Sequence, residues 1–243
     1  MTSRAAILHP ARCGALVVAI SVAGTPVAAQ SPSATRSADL LALDPLALAR
    51  LLDVKRPAPV PAAFRAQVLA GLPKQGEVHN LDDAEQRKLA ALAPVLEAAQ
   101  RGSVYAIKVI DVPHAFVGLH ARTVVLISRP ALRLMSEAEL QALVAHETGH
   151  EYVDAEYERA TVEGRSGRLR DLELVCDIIA VMTLHVIGQH AAWSLATAIE
   201  KLLHFNRFHF GSAIDDPDYP SSLLRRSVVL ALEKRLSRVA LPP

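Results

Sequence analysis

The segment "LQALVAHETGHEYVD", residues 140–154, is apolar except for side chains that a buried helix would not ordinarily carry. His146, Glu147 and His150 are the ones that matter chemically. Residues four apart on a helix are separated by about 400°, so the two imidazoles project from one face, roughly 6 Å apart. Glu147 is turned about 100° from His146. This spacing lets both histidines reach one ion, while the carboxylate can approach a water molecule beside it.

A second apolar helix is predicted from "LRDLELVCDIIAVMTLHVIG", and it carries carboxylates that need partners if they are buried. Glu173 and Asp177 are four residues apart and share a face of that helix. Glu173 is the predicted third ligand, and Asp177 is predicted to accept a ring N–H from a liganding histidine. The alternative is that both carboxylates pair with arginines such as Arg168 or Arg170.

The pentapeptide "HETGH" alone also fits a pair of histidines on a helix surface, but its apolar flank and a credible third ligand argue against that reading. A metzincin would need Gly at position 153 and His at 156, where this chain has Val153 and Glu156. Two histidines, one glutamate and an open fourth position are typical of a catalytic zinc site. The pattern therefore predicts one Zn²⁺ per chain, Glu147 as general base, and peptide-bond hydrolysis.

The predicted fold is mainly α with a small β-sheet, an α+β domain. Hydrophobic residues make up 51% of the chain and aromatic residues only 4%, so the core should be aliphatic and mostly helical. "VYAIKVI" and "RTVVLIS" read as strands around a turn-like "DVPHAFVGLHA", and "YERATVEGRSGR" reads as a loop. We expect a flexible lead-in over 30–38 and one domain over 39–243, with N-terminal helices in 39–101 and a catalytic core in 104–226.

The first 29 residues are predicted to be a signal peptide. Arg4 and Arg12 precede the apolar run "GALVVAISVAG", and Val27 and Ala29 occupy the small-residue positions of a cleavage site. This predicts an exported protein, most simply a periplasmic one, without a stable membrane span in the mature chain. The alternative is an uncleaved anchor, for which the apolar run is short.

Charge and cysteine content limit the classes of partner and the disulfides that this chain can have. Lys and Arg number 26 against 25 Asp and Glu, and no basic run interleaves with aromatic residues, which makes nucleic acid an unsuitable partner. After removal of the signal peptide only Cys176 remains, so no internal disulfide can form. The expected partner is a polypeptide substrate, and the oligomeric state is left open.

Two longer stretches carry a family resemblance. "AFVGLHARTVVLISRPALRLMSEAELQALVAHETGH" and "RDLELVCD" resemble the HtpX-like and CAAX prenyl protease-like zinc metallopeptidases, a gluzincin family with soluble periplasmic members. The resemblance covers roughly residues 104–226. It implies a zincin-like domain with the zinc site between two core helices, Glu173 as a ligand, and Arg170 beside Asp177.

The resemblance also implies where a substrate binds. It places an exposed edge strand over the cleft near residues 122–128, so that Val124 and Leu126 would pair with an extended substrate. The chain departs from the family at His114 and Ala115, which replace an Asn-Ala pair, and at Tyr219, which replaces the histidine of a His-Pro element. Tyr219 could stabilise the developing oxyanion through its hydroxyl, or it could be an ordinary core or surface tyrosine.

Two other functional readings stay open at this point. The first is a chaperone-like binding protein on the same zinc scaffold, which would hold clients without cutting them. The second is a secreted helical domain with no metal.

Overall fold

The computed structural model describes residues 36–73, 76–98, 105–189, 191–211 and 217–238. The predicted signal peptide and most of the predicted lead-in lie outside these residues. The helices that precede the first strand are α1 (Ser37–Ala42), α2 (Pro45–Val54), α3 (Ala62–Gly71), α4 (Asp83–Ala90) and α5 (Ala93–Ala98).

Local capping sets the boundaries of these first helices. Asp44 caps α2 by accepting hydrogen bonds from the backbone N–H groups of Leu46 and Ala47, both at 3.0 Å. Asp82 and Glu85 form a reciprocal capping box at the start of α4. Around Pro94 the chain forms two helices and not one, because proline lacks the N–H that an uninterrupted helix needs but is accepted in the first turn of a new one.

The described strands form one sheet, in the order β1-β3-β2: β1 (Ala106–Ile110), β2 (Val117–His120) and β3 (Val124–Ser128). Strand β3 pairs in parallel with β1 and antiparallel with β2. All five residues of β3 are buried. The predicted edge position of Val124 and Leu126 is therefore wrong.

The physical reason lies in the composition of that strand. A run of consecutive apolar residues without alternation is typical of a central strand that is covered on both faces. Its outer neighbour β2 comes from the segment that was predicted to be a turn. The hairpin turn between them has positive φ at both Ala121 (47°) and Arg122 (57°), and the N–H of Thr123 donates to the carbonyl of His120 at 3.0 Å.

Helices follow β3 to the end of the described chain: α6 (Arg129–Leu134), α7 (Glu137–Gly149), a 3₁₀ turn (His150–Tyr152), α8 (Asp154–Val162), α9 (Ser166–Val186), α10 (Ala191–Phe210) and α11 (Ser222–Leu236). Ser136 and Glu139 form a reciprocal capping box at the start of α7. Helix α9 packs against α7, α8, α10 and α11, so it forms the centre of the domain. The predicted α+β class is confirmed.

The loop predicted over residues 157–168 is wrong, because its first half belongs to helix α8 and its last three residues to α9. That helix stops at a Schellman motif, in which the N–H of Arg165 donates to Ala160 C=O (2.9 Å) and that of Gly164 donates to Thr161 C=O (3.1 Å). Gly164 has a φ of +63°, a conformation that glycine adopts without strain. The polar residues that suggested a loop form the exposed face of a short helix.

We expect Gly164→Ala to lower the free energy of unfolding by about 1 kcal/mol, because a side chain in the left-handed region is strained even where space is open. A Cβ at Gly164 would have no atom within 4 Å, so the loss would report backbone strain alone. Ala121→Gly is the reverse substitution at another position with positive φ, and it should raise the free energy of unfolding by about 0.5 kcal/mol. Urea denaturation measures both, and an unchanged Gly164→Ala protein would contradict the prediction.

Within the described part of the chain, every helix falls short of the length and apolar character needed to cross a bilayer. Helix α9 has 21 residues, but it includes charged side chains in its first half. Its Cys176 is a free, buried thiol.

Candidate metal site

The site lies where α7 and the following 3₁₀ turn meet α9. Helix α7 supplies His146 and Glu147, and His150 is the first residue of the turn. The two helices approach closely at Gly149, where a Cβ would lie 3.1 Å from both the Cα and the carbonyl oxygen of Cys176. The absence of a side chain at Gly149 therefore lets α9 bring Glu173 and Asp177 up to the histidines.

The side chains of His146, His150 and Glu173 converge. The Nε2 atom of His146 is 3.3 Å from Glu173 Oε2, and the Nε2 atom of His150 is 3.7 Å from Glu173 Oε1. A tetrahedral zinc ion with bonds of about 2.1 Å holds its ligand atoms about 3.4 Å apart. The two nitrogen-to-oxygen distances are close to this value, and imidazole nitrogens and a carboxylate are donors that a divalent metal ion accepts.

Asp177 lies behind His146, on the side away from Glu173. Its Oδ1 atom is 2.9 Å from the Nδ1 atom of His146. Both side chains are buried, and neither of these two atoms has another hydrogen-bond partner among the described residues. A carboxylate in this place turns the ring so that its Nε2 atom faces Glu173.

Burial and neighbouring charges act in opposite directions on the titration of these groups. Burial lowers the pKa of His150 to about 4, so its imidazole is neutral and able to ligate near neutral pH. Burial also acts to lower the pKa of His146, but the carboxylates of Asp177 and Glu173 raise it to about 10. Burial would raise the pKa of Glu173, but the nearby imidazoles and Arg225 hold it well below its usual range. A cation bound between these groups would take the place of the proton on His146.

Glu147 lies beside this group of ligands. One donor atom each from His146, Glu147 and His150 lie within 4.8 Å of one another. The Oε2 atom of Glu147 accepts a hydrogen bond from the backbone N–H of Leu119 in β2, at 3.2 Å. Although Glu147 keeps some exposed surface, desolvation raises the pKa of its carboxyl group to about 7, which suits a group that exchanges a proton near neutral pH.

Arg170 was predicted to lie beside Asp177, and this prediction is wrong. Its side chain is exposed and donates to the backbone carbonyl of Pro217, because it is placed one turn before Glu173, at the outer end of the same helix face. The buried arginine of the site is Arg225 on α11, which is 5% exposed. It donates to Glu173 Oε2, and its Nε atom is 3.5 Å from Asp177 Oδ2.

Arg225 had no predicted role, although the sequence carries a signal for one. The buried stripe of α11 consists of Arg225, Val228, Val229, Leu232 and Leu236, so an arginine occupies the first position of an otherwise apolar face. A charged residue in such a place needs a buried partner of opposite charge.

Two tyrosine hydroxyls complete the surroundings of Glu173. Tyr157 on α8 donates to Glu173 Oε1 at 2.9 Å, and Tyr219 lies beside Tyr157. Burial raises the pKa of both tyrosines above the usual value, so both hydroxyls keep their protons. Tyr157 was missed because its segment was read as a loop.

Strand β2, and not β3, is the edge that faces the site. The N–H of Ser128 donates to Phe116 C=O (3.0 Å), so by alternation the backbone groups of Val117 and Leu119 point away from β3. Before β2 the edge is closed, because the buried Asn206 accepts from the N–H of Ala115 (2.9 Å) and donates to its carbonyl (2.8 Å). His114 stacks on Phe210, with ring centroids 3.9 Å apart.

Comparison with known proteins gives one finding. The family model described as Peptidase family M48 matches residues 81–200, which include the sheet, α7 and α9. Tyr219 and Arg225 follow the matched range. No curated protein shows a significant match to the chain.

Proposed function

Because the chain belongs to peptidase family M48 and is thus a metallopeptidase, we propose that it is a zinc-dependent endopeptidase acting on unfolded or envelope proteins. The observation that carries the proposal is the convergence of His146 and His150 on the carboxylate of Glu173, at 3.3 and 3.7 Å, with Glu147 beside them. A set of two histidines and one glutamate leaves a fourth position for water or substrate, as a catalytic zinc site requires.

In the proposed mechanism, His146, His150 and Glu173 would hold zinc, and Asp177 would orient His146. When bound, zinc would act as a Lewis acid towards the scissile carbonyl and would lower the pKa of a water molecule in the fourth position. Glu147 accepts the proton of the attacking water and passes it to the leaving amine.

Two further residues near Glu173 have proposed roles. Arg225 offsets the negative charge that Glu173 and Asp177 bring into a buried site. Tyr219 lies within reach of Tyr157 at the same site, and its protonated hydroxyl could donate to the developing oxyanion.

The proposed substrate path runs along β2. An extended polypeptide could add to this edge through the outward backbone groups of Val117 and the outward carbonyl of Leu119, whose N–H donates to Glu147. The hydrogen bond from Leu119 to Glu147 supports this path, because it shows that the edge lies next to the proposed base. Asn206 ends the open edge at Ala115.

Export is part of the proposal. Its support is the sequence of residues 1–29, which has the charge and hydropathy pattern of a signal peptide and lies outside the described residues. An exported chain would encounter envelope proteins as substrates.

The test is a metal analysis combined with a protease assay on unfolded casein. We expect one zinc per chain after purification without added metal, loss of cleavage with a chelator, and recovery when zinc is restored. Protein that is folded but free of metal would contradict the proposal. Bound zinc with retained but uncut casein would favour the chaperone-like alternative.

A further inference from the structure

The two oxygens of Glu173 are held by different groups from different helices. Tyr157 on α8 donates to Oε1 at 2.9 Å, and Arg225 on α11 donates to Oε2. We propose that Tyr157 is a positioning residue that fixes the Glu173 carboxylate for metal binding, an inference that rests on the metal site of the proposed function.

The path of the chain brings Tyr157 to this position. After His150 the chain turns through one 3₁₀ turn and continues as α8, which packs against α9. The ring of Tyr157 meets the ring of His150 edge to face, with centroids 5.0 Å apart and planes at 85°. One side chain therefore contacts two of the three proposed ligands, one on each side of the junction between α7 and α9.

A glutamate side chain does not orient its own carboxylate. The last torsion of glutamate is broad, with two equivalent minima, so one contact leaves the carboxylate plane free to rotate. Arg225 alone holds only Oε2. The hydroxyl of Tyr157 supplies the second contact, on the oxygen that lies 3.7 Å from His150 Nε2, and together the two donors set the plane.

The orientation of the Tyr157 hydroxyl is itself determined. A tyrosine hydroxyl has one proton, and the proton of Tyr157 is directed to Glu173. That proton is then not available to the neighbouring Tyr219.

The chain offers a matched control for removal of a buried tyrosine hydroxyl. Tyr105 donates to Glu151, a buried carboxylate that also accepts from Arg122. Tyr105→Phe therefore removes the same kind of hydrogen bond from tyrosine to glutamate, at a carboxylate that is not a proposed ligand. A purely structural role for Tyr157 would make the two variants behave alike.

The experiment compares the wild-type chain, Tyr157→Phe and Tyr105→Phe by zinc competition against a chromophoric chelator and by the visible spectrum of bound Co²⁺. We expect Tyr157→Phe to raise the zinc dissociation constant about 10- to 100-fold and to alter the Co²⁺ spectrum. Tyr105→Phe should change neither, and saturating zinc should restore cleavage by Tyr157→Phe.

Equal zinc affinity of Tyr157→Phe and the wild type, or an equal loss in Tyr105→Phe, would overturn the inference. Failure of the proposed function has a different signature. A wild-type chain that binds zinc without cutting casein would overturn the peptidase proposal, while the affinity comparison would still decide the role of Tyr157. A wild-type chain that binds neither zinc nor Co²⁺ would overturn both.

Discussion

Glu147→Gln is expected to lower kcat for casein cleavage by about 10²- to 10⁴-fold while zinc content and the unfolding transition stay at wild-type values. The amide has the same size as the carboxylate, but it cannot accept a proton from the attacking water. Glu147 is not among the proposed zinc ligands, so metal should remain bound. Steady-state kinetics, metal analysis and urea denaturation of one preparation measure the three quantities.

Glu137→Gln is the matched control for this change. Glu137 lies in the first turn of the same helix, but it is exposed and distant along the helix from the ligands. Its replacement should leave kcat unchanged. A Glu147→Gln protein that cleaves casein at the wild-type rate would show that another group is the base.

Gly149→Ala should disrupt both the packing of the domain and the metal site. An added Cβ would lie 3.1 Å from the Cα and carbonyl oxygen of Cys176, and backbone atoms cannot rotate away as a side chain can. Overpacking of this kind typically costs 1–3 kcal/mol, so we expect a loss of about 2 kcal/mol in the free energy of unfolding. Because α9 must shift, Glu173 should move relative to the histidines and zinc affinity should fall at least about 10-fold.

Gly167→Ala distinguishes this packing effect from the general effect of alanine in a helix. Gly167 lies in the first turn of α9, and the nearest neighbour of an added Cβ would be the flexible end of Arg170, at 3.8 Å. Alanine favours a helix over glycine by up to about 1 kcal/mol, so this variant should be slightly more stable and should bind zinc normally. If Gly149→Ala behaved in the same way, the close approach of α7 and α9 would not be what positions Glu173.

Helical periodicity was enough to predict which residues of α7 and α9 lie together at the site. His146 and His150 share one face of α7 and its continuation, Glu173 and Asp177 share one face of α9, and the structure brings these faces together. Their roles as ligands and orienting group stay predictions. Periodicity works here because each pair is local, and an apolar helix has few places for a charged side chain.

Contacts between distant segments could not be found in this way. Arg225 is 52 residues from Glu173, and only the packing of α11 on α9 brings the two together. Arg170 was favoured because "RDLELVCD" resembles a family motif that begins with arginine, yet it lies a turn too far out along α9. Tyr157 was hidden for another reason, because a short polar helix on the surface has a composition close to that of a loop.

The error in the sheet has a similar origin. Strand β3 has the strongest β composition in the region, but composition does not give the order of strands. A short strand such as β2, with glycine and histidine among its four residues, has little signal of its own. Its place at the edge follows from the hairpin turn at Ala121 and Arg122, which only the folded chain reveals.

The outward face of β2 has a consequence for selectivity. A guest segment that pairs with Val117 and Leu119 would be recognised through amide groups that nearly all residue types present alike. Such recognition depends less on the amino-acid sequence of the bound segment than on whether its backbone amides are free to form hydrogen bonds. In a natively folded protein, most of these amides are already hydrogen-bonded within its own helices and sheets. The conformational state of a client, more than its sequence, would then decide whether it is cut.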